Sequence, residues 1–323
     1  MHGGSPLEKT PLGKDAGRQA LERARASLGR IILDKDEQIA LALACLLARG
    51  HLLIEDLPGL GKTTLAQSLA KVLGLSYRRI QFTSDLLPAD IVGVSVFRRD
   101  SGKFEFQPGP IFAQLILADE VNRATPKAQS ALLEAMEEHQ VSVDGDTRAL
   151  PVPFFVVATQ NPADQIGTVP LPESQLDRFL MRLELGYPHP RAEREMFERR
   201  HRQGTAQQAL GCRIDRDQLN AIRTAVGEVH ASDNFLDYLQ RLVAFTRESP
   251  EFAVGLSPRG ALAVLDSAKT WAVMHNRGHV VPEDLQVVLP AVAGHRLVPS
   301  GDYAGDSKAL VELLLRRVDV IKA

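Results

Sequence analysis

The chain has 323 residues, of which 44% are hydrophobic and 24% are charged, and this composition excludes global disorder. The length suits a core domain of roughly 150–200 residues with a smaller second domain. The formal net charge of −2 excludes an overall basic field, so a nucleic-acid partner is not expected. Cys45 and Cys212 make no disulfide framework or metal cluster, and no apolar run reaches the roughly 18 residues of a membrane span. A cytoplasmic protein is therefore expected.

Short apolar runs alternate with helical segments in the first half of the chain. Residues 1–18 are expected to be a solvated tail. Ile39–Leu47 is helical in composition, and Thr64–Leu73 has apolar residues at helical spacing up to Gly74. Strands are predicted at residues 51–54, 78–82, 115–117 and 154–158. This alternation indicates a parallel sheet covered by helices on both faces, which is an α/β architecture.

Two prolines, Pro188 and Pro190, mark the predicted boundary between a core at residues 19–188 and a second domain at residues 189–323. The second domain is predicted to be almost wholly helical. Its expected helices span residues 191–202, 215–229, 233–248, 258–275, 282–293 and 307–321.

A glycine-rich run between the first strand and the helix that follows it is the strongest functional signal. Its residues are Asp56, Leu57, Pro58, Gly59, Leu60, Gly61, Lys62, Thr63 and Thr64. Backbone N–H groups and a helix N-terminus together hold phosphate in this context. Lys62 is expected to reach the β- and γ-phosphates of a nucleotide, and the Thr63 hydroxyl is expected to bind Mg²⁺. Asp56 stands where such loops usually begin with glycine, so its carboxylate must point away from the phosphates.

Two further strands deliver polar side chains at their carboxyl ends, where ligands bind in parallel sheets. Asp119 and Glu120 follow one of them, and we expect Asp119 to hold Mg²⁺ and Glu120 to polarise the attacking water. Asn161 follows the other strand. On spacing alone, Asn161 either orients the lytic water or simply starts a turn before Pro162.

The segment between these two strands predicts a helix and a hairpin. Thr125 and Pro126 have the order of an N-cap and a first helical residue. Residues 141–150 alternate around Asp144 and Gly145, which is a hairpin signal.

Taken together, these motifs resemble the AAA+ ATPases, and more closely the MoxR family within them. The similarity covers about residues 28 to 295. The segments that carry it are residues 50–63 (GHLLIEDLPGLGKT), 82–93 (FTSDLLPADIVG), 104–112 (FEFQPGPIF), 118–127 (ADEVNRATPK), 129–138 (QSALLEAMEE) and 171–179 (LPESQLDRF).

The resemblance implies an AAA+ αβα core followed by a smaller all-helical lid domain, in a ring that is usually hexameric. ATP and Mg²⁺ would bind at each subunit junction, and Asn161 would be the sensor 1 residue. Arg178 resembles the arginine finger given to a neighbour's γ-phosphate, and Arg182 is the rival candidate. Arg259, in the first turn of a predicted lid helix, resembles sensor 2 and is expected to contact the γ-phosphate of its own subunit. A partner containing a von Willebrand factor A domain is also implied.

Two stretches extend or depart from the family pattern. Asp90–Phe112 resembles an insertion in the second helix, whose aromatics Phe104, Phe106 and Phe112 either line the ring pore or anchor the loop in a local core. Asp34 replaces a glycine that the family often has next to adenine.

The leading functional hypothesis is therefore an ATP-driven, chaperone-like remodelling motor. The ATPase subunit of a chelatase-like complex would share every nucleotide motif. A nucleotide-gated scaffold with little turnover is a third hypothesis, and phosphate release would separate it from a motor. A helicase is disfavoured because no basic or aromatic single-strand platform stands out.

Overall fold

The computed structural model describes residues 14–162, 171–199, 210, 214–300 and 307–321. Helix α1, Lys14–Gly29, begins inside the segment that was expected to be a solvated tail. The earlier part of that tail lies outside the described residues, as do residues 200–202 at the end of the first predicted lid helix.

A five-stranded parallel sheet, in the order β2-β5-β8-β1-β9, forms the centre of the core. Its strands are β1 Leu52–Glu55, β2 Tyr77–Gln81, β5 Leu115–Asp119, β8 Phe155–Gln160 and β9 Met181–Leu183. Two antiparallel hairpins project from the core and comprise β3 Gly93–Arg98, β4 Lys103–Pro108, β6 Gln140–Val143 and β7 Asp146–Ala149. All five sheet strands run the same way, so their carboxyl ends meet at one edge of the sheet.

The helices of the core are α2 Asp36–Leu47, α3 Lys62–Val72, α4 Pro88–Val92, α5 Pro126–Glu138 and α6 Glu173–Leu176. The sheet separates two apolar clusters because neighbouring residues of a strand face opposite sides. Leu52 and Ile54 of β1 pack in the cluster that contains residues of α2 and α3. Leu53 packs in the other cluster, with residues of α5. The predicted α/β core with a parallel sheet covered on both faces is confirmed.

Local sequence signals account for the element ends. The Thr125 hydroxyl accepts from the Ala128 amide at 3.4 Å and caps α5, whose first residue is Pro126. Asp144 and Gly145 adopt φ angles of 54° and 87° in the β6–β7 turn, as a tight hairpin turn requires.

The second domain is helical, as predicted, with one small addition. Its helices are α7 Pro190–Arg199, α8 Arg216–Gly227, α9 Asp233–Glu248, α10 Pro258–Met274, α11 Pro282–Ala293 and α12 Ser307–Arg317. A short antiparallel pair, β10 Phe252–Val254 and β11 Val298–Pro299, joins the segments beside α9 and after α11. Among the described residues, no helix combines the length and the apolar character needed to cross a membrane.

Candidate nucleotide-binding site

The phosphate loop joins the carboxyl end of β1 to the amino end of α3. Gly59 and Gly61 have φ angles of 87° and 89°, in the left-handed region that favours glycine. A Cβ atom added at either glycine would meet no heavy atom within 4 Å, so there is open space beside the loop. The other predicted loop residues are Pro58 and Leu60 in the loop itself and Thr63 and Thr64 in the first turn of α3. The N–H groups at this helix end favour an anion.

Lys62 is the buried cation of the loop, with only 7% of its surface exposed. Its Nζ atom donates to Asn161 Oδ1 at 3.3 Å, to the Gln160 carbonyl at 3.5 Å and to the Asp56 carbonyl. Burial lowers the pKa of the Lys62 ammonium below its ordinary value, while the nearby charge of Asp56 and the other acids opposes that shift. Neutral oxygens therefore hold a desolvated ammonium that an incoming phosphate can engage.

Asp119 and Glu120 lie at the carboxyl end of β5, next to β8. The Thr159 hydroxyl donates to Asp119 Oδ1 at 2.5 Å and accepts from the Glu120 amide at 2.9 Å. Glu120 has a φ angle of 58°, a left-handed conformation that is uncommon for a residue with a side chain. The Thr159 hydroxyl therefore holds the end of β5, from which the Asp119 and Glu120 side chains extend to different partners.

Asn161 links the phosphate loop to this acid pair. Its Oδ1 atom accepts from Lys62, and its Nδ2 atom donates to Glu120 Oε1 at 3.2 Å. Asn161 is buried, with only 3% of the residue exposed. These contacts favour a role in the site over a role confined to the turn before Pro162.

Strand β2 adds two polar side chains that no sequence motif indicates. Arg79 donates to Asp119 Oδ2 through Nε at 3.0 Å and through Nη2 at 2.7 Å. Gln81 donates to Glu120 Oε2 at 2.9 Å. A signal existed, because Gln81 lies near the end of the strand predicted at residues 78–82, but the order of the strands was needed to place it beside Glu120.

The Glu120 carboxylate is held from three directions. Gln81 and Arg123 each donate to Oε2 at 2.9 Å, and Asn161 donates to Oε1. A carboxylate that accepts from three side chains is oriented, and Oε1, which accepts from Asn161, keeps a second lone-pair site that can take a proton from water.

Asp56, where phosphate loops usually begin with glycine, and Asp34, which replaces a family glycine, both bind the segment between core and lid. Asp56 Oδ2 accepts from the amides of Leu185 at 2.7 Å and Gly186 at 2.6 Å, so its carboxylate points away from the loop interior. Asp34 Oδ2 accepts from the His189 amide at 2.6 Å. We call residues 185–189 the linker. It is anchored both at the phosphate loop and before α2.

Arg178 and Arg259 meet at one carboxylate. Glu137 Oε2 lies 2.9 Å from Arg178 Nη2, and Glu137 Oε1 lies 3.4 Å from Arg259 Nη2. Glu137 is in the last turn of α5. That turn lies at the amino edge of the sheet, because the ring of His51, the residue before β1, is 3.2 Å from the Met136 carbonyl.

This amino edge is remote from Lys62 of the same chain. Arg178 precedes Met181, which pairs with Leu52 at the start of β1, whereas Lys62 follows the end of β1. The four residues of β1 alone span about 13 Å. Arg259, which was expected to contact its own subunit's nucleotide, lies at this amino edge, where α10 begins beside Glu137.

Arg182, the rival to Arg178, has a partner on its own core. Arg182 Nη1 lies 3.0 Å from Glu55 Oε2 at the end of β1, and both side chains are largely buried. Arg182 therefore braces the strand that leads into the phosphate loop.

The aromatics of the insertion divide into anchored and exposed groups. The rings of Phe106 and Phe112 lie 5.7 Å apart, and the Arg148 guanidinium lies 4.0 Å from the Phe106 ring centre, which fits the loop-anchor interpretation. Phe104 is instead 72% exposed and packs against Phe97 at the far part of the β3–β4 hairpin.

A magnesium ion fits these residues only together with a nucleotide. In the part of the chain that the structure describes, no group of three or more His, Cys, Asp or Glu side chains could hold a metal ion. Mg²⁺ is commonly bound by one or two protein oxygens plus substrate phosphates. The Thr63 hydroxyl and the Asp119 carboxylate are oxygen donors of that kind.

Comparison with known proteins agrees with this geometry. Residues 51–181 match the family of ATPases associated with various cellular activities, and residues 244–312 match the AAA lid domain. The structure of a Cytophaga hutchinsonii protein assigned as an ATPase is 35% identical in sequence, with a TM-score of 0.87 and coverage of 96% of this chain and 97% of that one.

Relatives with similarity along nearly the whole chain identify the branch of this superfamily. YeaC, an uncharacterized Bacillus subtilis protein, is 42% identical, covering 93% of this chain and 94% of its own. Chaperone MoxR1 of Mycobacterium tuberculosis is 40% identical, covering 98% of this chain and 86% of its own. Protein MoxR of Paracoccus denitrificans is 31% identical, with coverage of 90% and 92%. The chain belongs to the MoxR family of AAA+ ATPases, and it is a nucleotide-binding ATPase with an AAA+ core and a helical lid.

Proposed function

We propose that the chain is a Mg²⁺-dependent ATPase that remodels a partner protein and works as a ring, with each ATP held between two subunits. One observation carries this proposal: the groups suited to phosphate chemistry lie at opposite edges of the sheet. Lys62 and Glu120 occupy the carboxyl edge, whereas Arg178 and Arg259 occupy the amino edge. In the arrangement described, the two sets of one chain face different edges, whereas sets from two neighbouring chains could share one nucleotide.

At the carboxyl edge, the chain's own residues bind the nucleotide and position water. The loop amides and Lys62 hold the phosphates, and Thr63 and Asp119 would hold Mg²⁺, which supplies charge neutralisation when bound. Glu120 orients the attacking water and takes its proton, with Asn161 aligning the Glu120 carboxylate.

At the amino edge, Arg178 and Arg259 would face the neighbour's nucleotide. In this structure their guanidinium groups share Glu137, which keeps two like charges together at one surface. Binding to a γ-phosphate would replace that carboxylate with a stronger anion, and guanidinium groups stabilise the charge that develops in phosphoryl transfer. We assign the finger role to Arg178 rather than Arg182, because Arg178 lies beside Arg259 at the amino edge, whereas the Arg182 guanidinium reaches Glu55 at the end of β1.

The proposed remodelling of a partner protein is supported by the comparison with relatives. A 40% identical relative is named as a chaperone, which supports a remodelling role. We propose a hexamer as the ring, a partner with a von Willebrand factor A domain as the client or adaptor, and the cytoplasm, where ATP is abundant, as the location.

Lys62→Ala is expected to weaken ATP binding roughly 10- to 150-fold, because hydrogen bonds to charged groups contribute about 1.5–3 kcal/mol. Titration with a fluorescent ATP analogue measures the change. Lys71→Ala is the matched control, since Lys71 is an exposed lysine in the last turn of the same helix. An affinity that stays within threefold of the unmodified chain would place the phosphates elsewhere.

Specific ATPase activity is expected to rise with protein concentration and to level off as rings form, because each site needs a neighbour. Phosphate release and light scattering on the same samples, with ATP and Mg²⁺, measure activity and assembly together. Constant specific activity in samples shown to be monomeric contradicts the shared site, whereas assembly without turnover indicates a nucleotide-gated scaffold.

A further inference from the structure

A buried lid arginine lies behind the two arginines of the amino edge. Arg296 follows α11, and its side chain is only 4% exposed. Taking a guanidinium out of water is costly unless its N–H groups are hydrogen-bonded and its charge is compensated. The partners of Arg296 therefore show what its burial achieves.

Those partners are concentrated in residues 177–180, the segment that contains Arg178. Arg296 Nε donates to Asp177 Oδ1 at 2.7 Å. Arg296 Nη2 donates to the carbonyl oxygens of Asp177 at 3.1 Å and Phe179 at 2.7 Å. Arg296 Nη1 donates to the Leu180 carbonyl at 3.1 Å. One guanidinium thus fixes the backbone on both sides of Arg178.

Arg296 and its partner Asp177 also support the first turn of α10, which carries Arg259. Asp177 Oδ2 lies 3.5 Å from Ser257 Oγ, and Ser257 caps α10 by accepting from the Gly260 amide at 3.0 Å. A Cβ atom added at Gly260 would come within 3.1 Å of the Arg296 Cδ atom. The start of α10 therefore packs directly against Arg296.

We propose that Arg296 is a positioning residue that holds Arg178 of the core and Arg259 of the lid in one arrangement, so that both reach the neighbour's nucleotide together. The inference rests on the proposed function, because it matters only if these arginines act across a junction. A lysine cannot replace Arg296, since a single ammonium cannot serve a carboxylate and three spaced carbonyls in the planar geometry of a guanidinium.

Arg296→Lys tests this role, with Arg277→Lys as the matched control. Arg277 is a lid arginine that pairs with the buried carboxylate of Asp284 and touches no residue of 177–180 in the contacts described. Both variants should bind nucleotide as the unmodified chain does, because their own Lys62 is untouched. Arg296→Lys should lose roughly 10²-fold in kcat, the scale of a misplacement of about 1 Å, while Arg277→Lys should stay within threefold.

Mixing experiments separate positioning from general damage. Arg296→Lys subunits should regain activity with Lys62→Ala subunits, which donate an intact Arg178, but not with Arg178→Ala subunits, which donate none. Thermal unfolding checks that the variant is folded. If it is not, Asp177→Ala, which removes only the carboxylate partner, should give the same partner-dependent pattern.

Either of two results overturns the inference. One is a folded Arg296→Lys variant with kcat within threefold of the unmodified chain. The other is a loss that Lys62→Ala subunits fail to repair although they do repair Arg178→Ala. If Lys62→Ala subunits repair neither variant in assemblies that exchange subunits, the shared-site proposal itself is wrong, and the inference fails with it.

Discussion

Arg178→Ala and Lys62→Ala subunits are each expected to be nearly inactive alone and to regain ATP hydrolysis when mixed. Arg178→Ala subunits keep their own Lys62 and bind ATP, but they cannot complete a neighbour's site. Lys62→Ala subunits have the opposite defect. An arginine finger can be worth a factor of about 10³–10⁵ in rate, so a minority of repaired junctions should be visible above background in a phosphate-release assay.

The structure supplies the reason for this expectation. Arg178 and Lys62 of one chain lie at opposite edges of the sheet, and Arg178 is paired with Glu137 at the amino edge. If assembly and subunit exchange are established and the mixture still does not recover ATP hydrolysis, Arg178 does not act in the neighbour's site. A mixture that uses Arg182→Ala instead tests the rival, and no partner-dependent recovery is expected because the Arg182 guanidinium lies at Glu55, the last residue of β1, and not at the amino edge.

The same assay decides how Arg259 acts. If Arg259 served its own subunit, Arg259→Ala and Arg178→Ala subunits would complement each other, since each would lack a different half of the site. If both arginines serve the neighbour, each variant is a defective donor and the mixture stays inactive. We expect no recovery, because both guanidinium groups contact Glu137.

Glu120→Gln is expected to leave nucleotide affinity within threefold and to slow hydrolysis about 10²- to 10⁴-fold, the usual contribution of a general base. The amide keeps the shape of the side chain but cannot take a proton. Its NH₂ group must also face a donor, since Gln81, Arg123 and Asn161 all donate to Glu120, so at least one of these bonds is lost. Nucleotide titration and phosphate release measure the two effects separately.

Glu105→Gln is the matched control for this change. Glu105 is an exposed glutamate on the β3–β4 hairpin that pairs with Arg98 at 3.0 Å, away from the sheet edge. The Glu105→Gln variant should hydrolyse ATP at the same rate as the unmodified chain. Ordinary turnover by Glu120→Gln would move the general base to another residue.

Slow hydrolysis also makes Glu120→Gln a means to identify the client. Loaded with ATP, this variant should hold the client-bound state and capture a protein from native lysate that the Lys62→Ala variant does not. A captured protein with a von Willebrand factor A domain would support the partner proposed above.

The local parts of the site could be predicted from the sequence because they follow strand ends. In a parallel sheet, residues that directly follow strands gather at one edge, so Lys62, Glu120 and Asn161 were expected together before any strand order was known. The structure brings their side chains into contact. The N-cap at Thr125 and the starts of the lid helices likewise depend on short-range signals.

The long-range parts could not be predicted in this way. From the sequence alone, Arg79 and Gln81 are polar residues of a short strand with no indicated role. Their contacts with Asp119 and Glu120 follow only from the sheet order, which places β2 beside β5. Arg296 binds a segment more than one hundred residues earlier, and no periodicity reports such a contact. The position of Arg259 depends on how the lid packs on the core, which the motif around Ser257 does not specify.

The anchored linker has a mechanical consequence if the chain works as the remodelling ATPase proposed above. Asp56 holds residues 185 and 186 against the phosphate loop. The linker that leads to the lid is therefore attached directly to the proposed nucleotide-binding loop. Coupling free energies are reciprocal: if nucleotide shifts the equilibrium between two lid orientations by some factor, nucleotide affinity must differ between those orientations by the same factor. A load that favours one orientation would therefore change nucleotide affinity. A client that resists being pulled would therefore act back on the phosphate loop, and release of nucleotide would depend on force as well as on chemistry.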